Sequence, residues 1–257
     1  MSDMFRLDGQ VAVVIGGTGA IGELMAEGLA NQGAKIALAG TKQEKLTAIT
    51  KRIQEDTGAE VAGFQIDISD EASVANVAQE VKAKFGTVDI LVNAQGLNYK
   101  HPAVDFPVSD WDKMFAVNVK GIMLSCKEFG KIMIANKKGK VINLSSVRGL
   151  RATLWGGNEG YCGTKGAVDM ITKSLASEWA EHGINVNGIG PSLIRTALAE
   201  KTLNDPKRLA TYLANVPLKR VGEPEDLVGL CIFLASSASD FITGQIIYLD
   251  GGLTAIG

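Results

Sequence analysis

The sequence predicts an α/β protein: a single domain built on a doubly wound parallel sheet of about seven strands, with helices on both faces. Three observations predict it. Short apolar runs alternate with amphipathic helical stretches along all 257 residues. The runs are apolar throughout rather than at every second position, as strands buried on both faces are. No linker, repeat or low-complexity tract interrupts the alternation, so the expected domain spans 1–257.

The elements follow in order. Gln10 to Ile15 is a β-branched run that empties into Gly16-Gly17-Thr18-Gly19-Ala20-Ile21-Gly22. A helix with Leu24, Met25, Leu29 and Ala30 on one side ends at Gly33, and Lys35 to Ala39 is the second strand. A helix from Gln43 to Asp56 precedes the strand Val61–Ile66, and a helix from Glu71 to Phe85 precedes the strand Val88–Val92. Asp110 to Ala135 reads as one long helix, followed by the strand Lys140–Leu144. A helix opening at Tyr161 leads to the strand Ile184–Ile189, and a loop begins at Pro191. A helix from Glu223 to Ala235 and the strand Ile246–Leu249 close the pattern.

Composition sets outer bounds. Hydrophobic residues make up 46% and charged residues 21%, with a net charge of −2. That balance leaves no basic footprint for nucleic acid or an anionic membrane surface. No apolar run reaches the roughly 18–20 residues of a membrane span, and Met1 to Arg6 lacks a basic region followed by an apolar one. A cytoplasmic setting is expected. Cys126, Cys162 and Cys231 are odd in number and far apart, which argues against a disulfide framework or a metal site.

Two motifs carry chemistry. Gly17, Gly19 and Gly22 satisfy G-x-G-x-x-G between a strand and a helix, where free N–H groups and the helix dipole favour a pyrophosphate. Tyr161 and Lys165 stand four apart, one turn from each other on one helix face. A phenol is a poor proton donor or acceptor at neutral pH, and a cation one turn away favours the phenolate. The expectation is therefore a Tyr161 pKa drawn toward the working range.

These motifs, in this order, resemble the short-chain dehydrogenase/reductase family over nearly the whole chain. The resemblance implies a Rossmann-like three-layer fold and hydride transfer between a nicotinamide and a secondary alcohol or ketone. It implies Tyr161 as the acid/base, Lys165 as its partner on the nicotinamide ribose, Ser146 of the Ser145-Ser146 pair as a donor to the reacting oxygen, and Asn118 as holder of a relay water. Gly16, Thr18, Gly19, Ile21 and Gly22 would surround the pyrophosphate. Asp67, with Ile68 after it, matches the position that meets adenine, and Asn93 and Gly96 fall on the adenosine side. Pro191, Ile194 and Thr196 match the stretch that meets the nicotinamide carboxamide. The chain departs from the family pattern at Ala20, at Ala94-Gln95, at Ser192, and in a longer spacing from Ser146 to Tyr161. None of these departures removes a catalytic group.

Other readings are weaker. Neither His101 nor His182 has a motif that would make Ser146 a covalent nucleophile. A non-catalytic nucleotide-binding regulator could dispense with the Tyr–Lys pair, which this chain keeps. For the cofactor, the position about 20 residues after the glycines reads Gly40-Thr41-Lys42, without the carboxylate that binds both hydroxyls of an NAD ribose. Thr41 and Lys42 therefore favour NADP(H), with NAD(H) the alternative. Ala167, Val168, Ile171, Leu175, Met123 and Phe129 should divide between core and subunit interface, and the resemblance implies a homotetramer. The candidate substrate residues are Lys100, His101, Arg148, Arg151, Trp155 and Asn158, a polar set suited to hydroxyls and a carboxylate. Leu97 to Pro102 and Ile184 to Ile189 resemble the gluconate 5-dehydrogenase branch of the family. The expected substrate is a sugar acid or polyol, with 3-oxoacyl-carrier-protein reduction as the alternative.

Overall fold

Seven apolar segments become seven strands because each is flanked by a glycine or polar turn and is too short and too β-branched to be a helix. The computed structural model describes residues 3–153 and 155–256. The strands are β1 (Val11–Ile15), β2 (Lys35–Gly40), β3 (Val61–Gln65), β4 (Ile90–Asn93), β5 (Gly139–Leu144), β6 (Ile184–Pro191) and β7 (Ile246–Leu249). All neighbours pair in parallel, in the order β3-β2-β1-β4-β5-β6-β7. The chain runs outward from β1 to β3 and then crosses to β4 on the other side of β1. This reversal leaves a crevice at the carboxyl ends of the strands.

Helices cover both faces. On one side α1 (Ala20–Asn31), α2 (Gln43–Thr57) and α9 (Val228–Ala235) close a core containing Val14, Met25, Leu38 and Leu234. On the other, α3 (Glu71–Phe85), α5 (Gly121–Asn136) and α6 (Glu159–Trp179) close a core containing Val13, Leu91, Phe129 and Val168. Asp70 starts α3 by accepting from Ala72 N at 3.2 Å, and Gly86 ends it in the left-handed region.

Two regions differ from expectation. The helix expected over 110–135 is α4 (Val108–Phe115), a π-helical segment (Ala116–Lys120) and α5. A π segment inserts residues into the turn and turns a side chain aside, and here it carries Asn118. The loop expected after Pro191 contains α7 (Glu200–Leu203) and α8 (Pro206–Ala214). Asp205 caps α8, accepting from Lys207 N at 3.0 Å and Arg208 N at 3.1 Å, with Pro206 at the first helical position.

Candidate active site

A cleft of about 350 Å³ opens at the carboxyl ends of the strands. One end is the glycine turn. Gly16 has φ +77°, and a Cβ there would lie 2.7 Å from Gln95 N, so the chain leaving β4 passes directly against it. A Cβ on Gly22 would lie 2.4 Å from Gly16 O, so α1 can begin this close to the turn only without a side chain. Gly19 starts α1 without a side-chain cap, which leaves the helix N-terminus to a ligand. Gly19, Ala20, Ile21 and Gly22 line the cleft, and the Ala20 methyl is part of its open wall. Thr18 instead packs against Gly40, where a Cβ would come within 2.8 Å of the Thr18 side chain. These features fit a dinucleotide's pyrophosphate.

Thr41 and Lys42 are exposed just past β2, beside the turn, and no carboxylate stands at either position. Asp67, past β3, is exposed and accepts from Ser69 N at 2.9 Å and Ser69 Oγ at 2.6 Å. Ile68 is buried against Gly121 at the start of α5. Asn93 supports the sheet. It is fully buried, its amide donating to Asn143 Oδ1 at 2.9 Å and accepting from Ser125 Oγ at 2.6 Å. Its side chain joins β4, β5 and α5.

Across the cleft stand Ser146, Tyr161 and Lys165. Lys165 is 2% exposed, and its Nζ donates to Leu144 O at 2.6 Å and lies 5.5 Å from the centre of the Tyr161 ring. Ser146 Oγ donates to Pro191 O at 3.2 Å and accepts from Arg148 N at 3.2 Å. Burial pushes the Tyr161 phenol up to about 12, against the opposing pull of Ser146 and the Arg148 guanidinium. Burial likewise draws Lys165 down to about 8. The expected lowering of Tyr161 by Lys165 is thus reversed, because removal from water favours the neutral form of both groups. The Tyr161 ring is only half-buried, so water in the cleft screens part of this effect. A neutral phenol at the cleft floor can donate a proton.

Asn118 sits behind the cleft wall. It is fully buried and does not line the cleft. Its amide clamps one backbone position, accepting from Leu97 N and donating to Leu97 O, each at 2.8 Å, and it donates to Thr164 Oγ1 at 3.1 Å. The π segment therefore uses Asn118 to hold Gly96-Leu97 against α6. Gly96, Pro191, Ile194 and Thr196 all line the cleft.

At the far end Lys100, Arg148, Trp155 and Asn158 line the cleft, but His101 and Arg151 do not. His101 Nε2 is bonded to Asp110 Oδ2 at 2.8 Å, and its ring packs edge-on to Phe106 at 5.1 Å. Arg151 Nη1 donates to Leu253 O at 2.7 Å, tying the loop to the C-terminal segment. Both are structural pins. The segment after Pro191 walls the pocket, as the sequence suggests, but its helices α7 and α8 and the residues Leu198, Thr202 and Tyr212 were missed. Tyr212 Oη lies 2.8 Å from Ser192 Oγ and accepts from Leu193 N at 3.3 Å. The Asp205-Pro206 start signal and the spacing of Leu209, Tyr212 and Leu213 could have revealed it.

A family model described as enoyl-(acyl carrier protein) reductase matches residues 16–254. The chain is 32% identical over 252 residues to gluconate 5-dehydrogenase of Gluconobacter oxydans, covering 98% of this chain and 97% of that one. The chain belongs to the short-chain dehydrogenase/reductase family. It is also 34% identical to 5-keto-D-gluconate 5-reductase of Escherichia coli, over 98% of each chain. Its fold superposes with TM-score 0.96 on a gluconate 5-dehydrogenase from Burkholderia cenocepacia solved with NADP and tartrate, at 35% identity and 99% coverage of each chain. This short-chain dehydrogenase/reductase is an oxidoreductase acting on CH–OH groups with a nicotinamide cofactor. No helix among the described residues is long and apolar enough to cross a membrane.

Proposed function

We propose that the enzyme interconverts the secondary alcohol and ketone of a sugar acid or related polyol, with NADP(H) as the favoured cofactor. One observation carries the substrate reading. Lys100 and Arg148 both line the cleft, and neither has a carboxylate partner among the described residues. Among the described residues the Arg148 guanidinium donates only to the backbone oxygens of Arg151 and Ala152. Burial and the repulsion of Arg208, Arg148 and Lys201 depress Lys100. Cations held near each other in this way favour an anionic ligand, and a carboxylate suits the guanidinium fork. Asn98 and Asn158 line the same end, and each keeps an amide oxygen without a hydrogen-bond partner among the described residues, which suits a polyhydroxylated chain. Related proteins act on gluconate, 5-ketogluconate and D-threitol.

A bound nicotinamide supplies or accepts the hydride at its ring. In reduction Tyr161 donates its proton to the developing alkoxide, and in oxidation it takes that proton back. Ser146 donates to the reacting oxygen, and Lys165 holds the ribose and offsets charge developing on the phenol. Asn118 clamps the Gly96-Leu97 wall and from there would hold the water that relays protons outward. Gly19, Ile21 and Gly22 hold the pyrophosphate. Thr41 and Lys42 favour a 2′-phosphate, since nothing at that position repels one. NADP in two solved relatives supports the same preference.

The assembly proposed is a homotetramer. Val168 and Phe129 are fully buried, whereas Met123 is 46% and Met170 63% exposed on α5 and α6. Apolar side chains exposed on neighbouring helices suit pairing with a second copy. Sedimentation of a stable monomer at micromolar concentration would refute this. The substrate reading is tested by assaying gluconate, other sugar acids, polyols and acetoacetyl thioesters with NADP(H) and NAD(H). Turnover of carboxylate-bearing sugars is expected, and activity confined to the thioesters would overturn it.

A further inference from the structure

We propose that Asp169 is a positioning residue for the Tyr161–Lys165 pair, acting through a tie to Ser145 and through its charge on Lys165. Tyr161, Lys165 and Asp169 stand four apart on α6 and so share one face, a turn between each. Two successive residues at the end of β5 are tied to two successive turns of that face. Lys165 Nζ donates to Leu144 O at 2.6 Å, and Ser145 Oγ donates to Asp169 Oδ1. Ser146 is the next residue along, so its distance from Tyr161 is set by this double tie.

The same carboxylate also seats the turn that carries Arg148. A Cβ on Gly149 would lie 2.3 Å from Asp169 Oδ2, so the turn closes over the carboxylate only with glycine there. Asp169 is 9% exposed. A carboxylate buried this far is costly unless hydrogen-bonded and paired. Burial raises it, while Ser145, Lys173 and Lys165 pull it back down. From the neighbouring elements, Tyr248 of β7 responds to Asp169, whereas Arg148 acts on Tyr161 and Cys162. Asp169 is in turn the group that pulls Lys165 back up against burial. The carboxylate therefore opposes, from one turn away, the burial that disfavours the ammonium.

This inference rests on reading Tyr161 and Lys165 as the proton-handling pair, and two variants separate the tie from the charge. Asp169→Asn removes the charge. Ser145→Ala cuts the hydrogen bond and leaves the charge in place. The readouts are the pH profile of kcat and, independent of turnover, the titration of Lys165 followed by NMR with isotope-labelled lysine. Asp169→Asn is expected to move the Lys165 midpoint, and the alkaline fall of kcat, down by about one pH unit. Above that midpoint kcat drops roughly tenfold. Ser145→Ala should lower kcat without moving the midpoint, and Asp169→Glu should restore the midpoint. An unmoved midpoint in Asp169→Asn, or an equal move in Ser145→Ala, would overturn the proposal. Should Asp169→Asn fail to fold, as judged by circular dichroism, Asp169→Ser replaces it with the same expectation. A wild-type protein that turns over no alcohol, with the Lys165 midpoint still moved by Asp169→Asn, would refute the proposed function and leave the electrostatic role standing.

Discussion

At the glycine end of the cleft the wall is backbone, and at the substrate end it is side chain. Gly16 and Gly22 bring main-chain atoms into contact at distances no Cβ would permit, and α1 begins there without a side-chain cap. Lys100, Arg148 and Trp155 instead reach into the cleft from loops, and Arg208 of α8 lies 5.9 Å from the centre of the Trp155 ring. The first wall admits one shape and tolerates few residues. The second is tuned by long side chains whose exchange leaves the fold intact. One cleft therefore combines a fixed cofactor mode with an adjustable substrate mode.

Tyr161 lies where the two walls meet, and its loss should have the largest effect. Tyr161→Phe is expected to lower kcat by about 10²–10⁴-fold while leaving cofactor affinity nearly unchanged. Undiminished turnover would end the acid/base assignment. Next comes the backbone wall. Gly22→Ala sets a methyl against Gly16 O and should weaken cofactor binding roughly ten- to a hundredfold, as overpacking of this kind costs. Fluorescence titration with NADPH measures it, and an affinity within twofold of wild type would mean that the turn can yield.

The side-chain wall should respond more narrowly. Arg148→Met or Lys100→Met is expected to raise KM for a carboxylate substrate about tenfold, the scale of one charged hydrogen bond. The same variants should leave KM for an uncharged polyol unchanged, and equal losses on both substrates would break the distinction between the walls. Smallest is the exposed cation past β2. Lys42→Ala should shift the NADP(H) to NAD(H) preference by roughly two- to fivefold, as a solvent-screened contact does. A clear NAD(H) preference in the wild type would reverse the cofactor proposal.

Much of this was legible in the chain. The seven strands fall where apolar runs flanked by turn residues predict them, with ends moved by a residue or two. The parallel sheet follows from strands apolar on both faces. The π segment was not legible, because Ala116 to Lys120 has an ordinary helical composition and the extra residue per turn leaves no mark in the periodicity. Helices α7 and α8 were passed over because their apolar positions are few, and Asp205-Pro206 signals a helix start only to a reader expecting one. His101 and Arg151 look like cleft residues by position. Asp110 and Leu253 O engage them instead, and neither partner is adjacent in sequence.

The sequence by itself determined the order of the strands, the glycine turn, and the pairing of Tyr161 with Lys165. Each of these depends on spacing within a few residues, where local geometry decides. Tertiary structure alone decided which polar side chains face the cleft and which pin the fold. It also decided that burial, rather than the neighbouring ammonium, governs Tyr161. Asn93, Asn118 and Asp169 were assigned their partners the same way, from residues 21 to 50 positions distant. Desolvation and long-range hydrogen bonds depend on where the whole chain packs, and no local pattern encodes them.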